Sequence, residues 1–217
     1  YKDIKKKLSK KTKAIYVIHY AGNACEIDKI SKIAKKNKIF IIEDAAHSFL
    51  AKFKNKFLGT IGDIGVFSFH ETKNLVAGQG GCISVNNPSL LMRVNNILDK
   101  GTDRKKFLKN FKNKIIKSNN KQFYSWVDVG SEYRASELSS ALLYAQMLKA
   151  KKIQKKREII WKKFNKIITN FKTNKFYLVK PLAKSTSAYH LFVLIFKNKE
   201  LSLDFKNKMQ KNNIAAT

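Results

Sequence analysis

An alternation of apolar strand and amphipathic helix near the start of the chain constrains its fold most strongly. Residues 14–19 and 39–42 are short, continuous apolar runs of the kind that buried strands form. Between them, residues 26–36 carry apolar side chains at the spacing of one helix face, with acids in the first turn and lysines in the last. A strand, a helix and a strand in this order predict a parallel sheet that helices cover on both faces.

Weaker patterns extend this α/β arrangement along the chain. The further expected elements are strands at 66–69, 82–85, 176–178 and 190–196, and helices that begin at Pro88, at Ser136 and near residue 200. The helix from Ser136 is expected to run, with breaks, through Phe164. Residues 99–125 are the most polar part, and we expect a surface loop there with one short helix.

The charge of the chain raises the possibility of a nucleic-acid partner. Its formal net charge is +30, but only four of its 45 lysine and arginine residues are arginine. Nucleic-acid binders favour arginine at bases and phosphates, often with interleaved aromatic residues, whereas these lysines are spread over every segment. We therefore expect no specific nucleic-acid binding, and a lysine-rich nucleic-acid-binding protein is the alternative from a different functional class.

Membrane insertion and metal binding find no support in the sequence. No run approaches the roughly 18 apolar residues of a membrane span, and the lysine-rich opening segment lacks the features of a secretory signal. Cys25 and Cys82 are far apart and lack the spacing of metal ligands, so we expect two buried thiols in a reducing cytoplasm. The chain begins at Tyr1, and we expect it to be part of a longer protein.

A dense group of reactive side chains lies between residues 43 and 81. Lys73 follows an expected strand and precedes a glycine turn at 77–81, which makes it a candidate for forming a Schiff base with a carbonyl. Such an amine must be neutral to react, so its pKa has to be lowered by burial or by a nearby cation. The alternative is one of many solvated surface lysines.

Three further side chains could hold a cofactor beside Lys73. Asp44 stands at the end of an expected strand, where a carboxylate can pair with a protonated pyridine nitrogen such as that of pyridoxal phosphate. Its alternative role is to cap the next turn. His47 could pack on the cofactor ring or satisfy backbone groups, and Ser68 could donate to a phosphate or bond within the sheet.

The motifs around these residues resemble a known enzyme family. They are Glu-Asp-Ala-Ala-His at 43–47, the run from Gly62 to Asn74 that contains Ser-Phe-His-Glu-Thr-Lys-Asn, and Gly-Gly at 80–81. Together they resemble the DegT/DnrJ/EryC1/StrS family of sugar aminotransferases, and the resemblance covers nearly the whole chain. It implies a pyridoxal-phosphate-dependent transferase of fold type I (aspartate-aminotransferase-like), with a mostly parallel sheet flanked by helices. Residues 1–148 would then form most of the large domain, and 149–217 would begin a smaller C-terminal α+β domain.

The resemblance also assigns roles to the four candidate residues. Lys73 matches the lysine that carries pyridoxal 5′-phosphate and shuttles the proton. Asp44 matches the partner of the pyridine nitrogen, His47 falls beside the ring, and Ser68 matches a phosphate ligand. The implied reaction moves an amino group from glutamate to the C4 ketone of a nucleotide-linked 4-keto-6-deoxyhexose, in a homodimer with active sites at the subunit interface.

Motifs elsewhere in the chain point to a branch of the family and to one departure from it. Residues 17–22, 100–104 and 126–131 resemble the transaminases that make dTDP-4-amino-4,6-dideoxygalactose for enterobacterial common antigen. Glu132, however, stands where family members have Asn or Ser in contact with the cofactor phosphate of the neighbouring subunit, and its charge would repel that phosphate. An inactive fragment of such an enzyme is therefore a further alternative.

Overall fold

A computed structural model describes residues 1–112 and 123–217 of the chain. The described strands are β1 (Ala14–Ile18), β2 (Phe40–Asp44), β3 (Lys52–Phe53), β4 (Lys56–Phe57), β5 (Ile64–Ser68), β6 (Gly81–Val85), β7 (Phe176–Leu178), β8 (Ser185–Thr186) and β9 (Leu194–Phe196). The described helices are α1 (Lys2–Lys7), α2 (Ile27–Asn37), α3 (Pro88–Leu98), α4 (Arg104–Lys112), α5 (Glu137–Leu148), α6 (Ala150–Asn170) and α7 (Lys199–Lys211). A short 3-10 turn, Tyr20–Gly22, follows β1.

The central sheet has four strands in the order β1-β2-β5-β6. β1 pairs with β2 and β2 with β5 in parallel, while β6 runs antiparallel to β5. The mostly parallel sheet and the flanking helices expected from the sequence are confirmed. The carboxyl ends of β1, β2 and β5 meet at one edge of the sheet, which is where α/β proteins bind ligands.

The main hydrophobic core lies between this sheet and α2. Apolar side chains of α2, with Ile27 fully buried, pack against those of β1 and β2. The helix ends at Lys38, which has φ 53° in the left-handed region and donates its N–H to the carbonyls of Ala34 and Lys35. The helix that the amphipathic pattern predicted is therefore confirmed, and its apolar face is the one that packs on the sheet.

The opposite face of the sheet differs from the expectation of cover on both faces. Burial alternates along β1 and β2: every second side chain is exposed on β1, and every second one is exposed or only partly buried on β2. Tyr16 is 58% exposed and Ile18 is 50% exposed on that face. The apolar runs predicted strands buried on both sides, but within the described residues α2 covers only one side. Asp44 lies on the open face, because side chains alternate along a strand.

One further expectation needs correction at its end, and another is confirmed. The strand expected at 190–196 is formed only by Leu194–Phe196, because Tyr189 has φ 51° and His190 turns towards the Lys73 segment. The helix from Ser136 is confirmed, with the Ser136 side chain accepting a hydrogen bond from the N–H of Ser139, and it breaks at Lys149 between α5 and α6.

The remaining expectations have mixed outcomes. Of the polar region 99–125, the structure shows the expected short helix as α4, and residues 113–122 lie outside the described residues. Cys25 is partly buried and Cys82 is exposed, so the expectation of two buried thiols is wrong. In the described part of the chain, no helix is both long and apolar enough to cross a membrane. The division into domains 1–148 and 149–217 stays a prediction.

Candidate active site

Asp44 and Ser68 lie at the same edge of the sheet. Each is the last residue of its strand, β2 and β5, and these two strands are parallel neighbours. The Asp44 carboxylate accepts a hydrogen bond from the Tyr16 hydroxyl at 2.9 Å through Oδ2 and one from the N–H of Ala46 at 3.0 Å through Oδ1. Oδ1 of Asp44 therefore stabilises the turn that follows β2, while Oδ2 is held by the Tyr16 hydroxyl of the neighbouring strand β1.

The adjacent carboxylate, Glu43, points to the opposite face and is fully buried. It accepts backbone N–H bonds from Gly59 at 2.9 Å and from Ile61 and Gly62 at 2.6 Å, together with a contact to Nε2 of His19 at 2.9 Å. Burial opposes its ionisation, but these hydrogen bonds outweigh burial and hold the pKa of Glu43 below its usual value. Glu43 therefore fixes the turn before β5 and is not available for reaction.

His47 is held in a defined orientation by its neighbours. Its Nδ1 accepts a hydrogen bond from the backbone N–H of Ala21 at 3.3 Å, so the neutral ring carries its proton on Nε2. The ring centroid lies 5.5 Å from that of Tyr20 and 4.4 Å from that of His190. The backbone contact is the alternative role that the sequence left open, and it leaves Nε2 to other groups, while the ring of His190 lies against that of His47.

The charge of Lys73 acts on His47 at the same site. Burial and then the charge of Lys73 lower the pKa of His47, while the nearby charge of Asp44 acts in the opposite direction. Lys73 itself is partly buried in the turn after β5, where its N–H donates to the carbonyl of His70 at 2.9 Å. The charges of Asp44 and Lys73 therefore both act on His47, which is neutral at neutral pH.

Ser68 is partly buried in the first part of that turn. Its hydroxyl oxygen accepts a hydrogen bond from the N–H of His70 at 3.3 Å. The bond is local to the turn, and it leaves the hydroxyl proton free to be donated to an acceptor.

Two contributors to the site were not predicted from the sequence. Tyr16 reaches Asp44 from β1, and His190 reaches His47 from a segment far along the chain. The alternation of side chains along β1 could have identified Tyr16, because Tyr16 stands two residues before the strand end and so lies on the same face as Ile18. No local signal marks His190.

Glu132, the departure from the family pattern, is paired with cations. Its carboxylate lies 3.2 Å from Nζ of Lys100 and 3.7 Å from Nε of Arg134. The hydrogen bond from Lys100 lowers the pKa of Glu132, which is therefore ionised but balanced by its neighbours. The repulsion expected from an isolated glutamate is correspondingly reduced.

The chain is similar in sequence to proteins that include a GDP-perosamine synthase. The chain is 31% identical over 220 residues to the uncharacterized protein MJ1066 of Methanocaldococcus jannaschii, covering 99% of this chain and 54% of that protein. It is 34% identical over 178 residues to GDP-perosamine synthase of Escherichia coli O157:H7, covering 80% of this chain and 44% of that one. The chain spans about half the length of the curated relatives it matches.

Solved structures share the fold. PseC of Helicobacter pylori, an aminotransferase involved in pseudoaminic acid biosynthesis, matches with a TM-score of 0.79 at 24% identity, covering 96% of this chain and 53% of that one. The PLP form of Spr1654 of Streptococcus pneumoniae, a putative sugar aminotransferase, matches with a TM-score of 0.79 at 18% identity, covering 98% and 55%. The fold is that of the pyridoxal-phosphate-dependent aminotransferases. A family profile matches residues 1–217, and the chain belongs to the DegT/DnrJ/EryC1/StrS aminotransferase family.

Proposed function

We propose that the chain forms the cofactor-binding part of an aminotransferase that moves an amino group from glutamate to the C4 ketone of a nucleotide-linked 4-keto-6-deoxyhexose. The observation that carries the proposal is the link between His47, which follows β2, and the turn of Lys73: the His47 ring contacts that of His190, which bonds to Asn74 beside Lys73. A partly buried amine beside a neutral imidazole and a carboxylate is suited to carbonyl chemistry.

The donor set fits pyridoxal 5′-phosphate, the cofactor of this family. Bound there, the cofactor supplies an electron sink that makes the α-carbon proton of an amino acid labile. An amine, a carboxylate, a flat imidazole and a hydroxyl are the partners that its aldehyde, ring nitrogen, ring face and phosphate require. Lys73, Asp44, His47 and Ser68 offer these four groups around one edge of the sheet.

Each residue has a defined task in the proposed reaction. Asp44, oriented by Tyr16, holds the proton on the ring nitrogen by its negative charge. Nζ of Lys73 would hold the cofactor at its aldehyde, and as a free amine it would take the proton from the α-carbon of the amino donor. His47 presents a neutral ring face, and Ser68 donates its hydroxyl proton to a phosphate oxygen.

The acceptor sugar is proposed from the names of relatives and from motif resemblance. GDP-perosamine synthase and a UDP-4-amino-4,6-dideoxy-N-acetyl-β-L-altrosamine transaminase of Helicobacter pylori are among the relatives. A nucleotide-linked 4-keto sugar suits both names, and the motif resemblance favours a dTDP-sugar whose 4-amino product is used for surface polysaccharide, specifically enterobacterial common antigen. Offering the GDP-, UDP- and dTDP-linked 4-keto sugars separately, with glutamate, tests this choice by product mass.

The proposal includes a cytoplasmic location and a homodimer. Cys25 and Cys82 are both free thiols, as is usual in a reducing compartment. Helix α5 has no buried residue although it is rich in leucine, which supports an interface with another surface.

Reduction with borohydride after addition of pyridoxal phosphate tests the function directly. We expect one dominant pyridoxyl adduct on Lys73, located by peptide mass spectrometry, because a partly buried amine in a formed site is trapped more efficiently than solvated lysines. The matched control is Lys73→Ala, in which this adduct must be absent without any increase elsewhere. Scattered labelling that is unchanged in the control would refute the proposal and favour an inactive fragment.

A further inference from the structure

A polar network behind His47 ties the Lys73 turn to a distant segment. Asn74, the residue after Lys73, donates from Nδ2 to the carbonyl of Ala188 at 2.7 Å. A carbonyl can only accept, so this bond fixes the orientation of the amide and leaves Oδ1 facing His190, 2.8 Å from its Nδ1. Because an amide oxygen also only accepts, Nδ1 of His190 must carry the proton and donate it.

His190 is neutral and in ring contact with His47. The two ring centroids are 4.4 Å apart, with planes tilted by 33°. Burial, then the neighbouring His47, and then the charges of Lys73 and Arg157 lower the pKa of His190 to about 4. At neutral pH the ring can therefore donate through one nitrogen only, and the geometry gives that proton to Asn74.

The segment that carries His190 is itself anchored. Ala188 is fully buried, and its N–H donates to the carbonyl of Gly22 at 2.9 Å. The carbonyl of Ser187 accepts from Nε2 of Gln154 at 2.9 Å, and the Ser187 hydroxyl donates to Gly22 at 3.2 Å. His190 therefore projects from a fixed backbone that is joined to both α6 and the turn after β1.

We infer that His190 is a positioning residue for Lys73. Its Nδ1–H holds the Asn74 side chain, and with it the adjoining backbone from which the Lys73 amine projects, beside His47. The meaning of this arrangement for catalysis rests on the proposed function, but the hydrogen bond and its effect on Lys73 do not. His190 acts through Asn74 and is not itself a reacting group.

Two substitutions separate the hydrogen bond from the ring contact. His190→Asn keeps an N–H donor near the position of Nδ1 but removes the ring, whereas His190→Phe keeps a ring and removes the donor. The readout is the rate at which each lysine is trace-acetylated by acetic anhydride in the chain without cofactor, followed by peptide mass spectrometry. In His190→Phe we expect the rate at Lys73, relative to the other lysines, to rise about fivefold, the factor that corresponds to one hydrogen bond. In His190→Asn it should stay within about twofold of wild type.

The control is Tyr189→Phe, which removes a hydroxyl from the neighbouring residue and leaves the hydrogen bond to Asn74 in place. It should acetylate like wild type. A rise in His190→Asn with no rise in His190→Phe would show that only the ring matters, and unchanged rates in both would show that His190 does not position Lys73; either result overturns the inference. If His190→Phe fails to fold, Asn74→Ala removes the same bond from the other side, and an unchanged Lys73 rate there is equally contradictory.

A second readout connects the inference to the proposed function. The same variants are treated with pyridoxal phosphate and borohydride, and the yield of adduct on Lys73 should fall in His190→Phe and recover in His190→Asn. A wild-type chain that forms no such adduct refutes the proposed function. The acetylation series, which needs no cofactor, still decides the role of His190 in that case.

Discussion

At the scale of single residues, β2 places two carboxylates with different tasks side by side. Glu43 points into the core and collects backbone N–H groups, whereas Asp44 points to the open face and meets the hydroxyl of Tyr16. The alternation of a strand is sufficient to produce this division, because neighbouring side chains face opposite sides of the sheet. One acid therefore stabilises the fold, and the other remains available at the candidate site.

Replacing Glu43 by glutamine should destabilise the fold by about 2–4 kcal/mol, because an amide cannot replace a buried carboxylate that accepts several N–H bonds. Urea unfolding at pH 7 measures this change. The matched control is Glu26→Gln, an acid on the surface that pairs with Lys29, which should shift the midpoint far less. Equal shifts in the two variants would contradict the structural role of Glu43.

The same residue predicts how the free energy of unfolding depends on pH. Because the folded-state pKa of Glu43 lies below the usual 4.5, its contribution is fully present above that value and is lost as the pH falls through the folded-state pKa. Wild type should therefore lose its advantage over Glu43→Gln below about pH 4.5. An advantage that persists undiminished to pH 2 would show that the ionised carboxylate is not the stabilising form.

Tyr16 gives a second residue-scale prediction. Tyr16→Phe removes the hydroxyl that orients Asp44, and we expect the dissociation constant for pyridoxal phosphate to rise about fivefold, as for the loss of one hydrogen bond. Absorbance titration measures the affinity. Tyr20→Phe is a matched control, since Tyr20 is also 58% exposed and its ring, rather than its hydroxyl, faces His47. Identical affinities in Tyr16→Phe and wild type would contradict a role for this hydroxyl.

At the scale of elements, local patterns predicted most of the fold, and non-local pairings account for what they missed. Strands β1 and β2 and helix α2 were predicted because each carries its own periodicity. The two-residue strands β3 and β8 were not, since Lys52 pairs with Thr186 across 134 positions and neither stretch has a strand pattern.

The candidate site divides in the same way. Asp44, His47, Ser68 and Lys73 were proposed from the sequence because they lie in one short stretch, whereas His190 is separated from Asn74 by 116 positions. A single sequence carries no signal for a contact of that kind. The proposed roles of the four residues remain predictions, but their proximity follows from strands β2 and β5 being adjacent and parallel.

At the scale of the whole molecule, a leucine-rich surface and a large positive charge act against each other. On α5, Leu138 is 84% exposed and Leu148 is 72% exposed, although Leu143 of the same helix packs against a cluster of buried apolar residues. Burying such side chains against a second copy stabilises a dimer by roughly 1.5–3 kcal/mol for each leucine. The net charge of +30 on each copy opposes the same association.

Self-association should therefore tighten as salt is added, because salt screens the repulsion between two cationic chains. The screening length falls from about 10 Å at 0.1 M salt to about 3 Å at 1 M. Sedimentation velocity over a concentration series measures the dimer dissociation constant, and Leu138→Lys should raise it at least about tenfold. Leu203→Lys, on α7 and 47% exposed, is the matched control and should leave the constant nearly unchanged. A chain that is monomeric at every salt concentration would contradict association through α5, and so would a Leu203→Lys variant whose dimer is weakened as much as that of Leu138→Lys.

Binding to nucleic acid has the opposite salt dependence, since added salt weakens it. A nucleic-acid titration in the same buffers therefore separates an enzyme dimer from a lysine-rich nucleic-acid-binding protein.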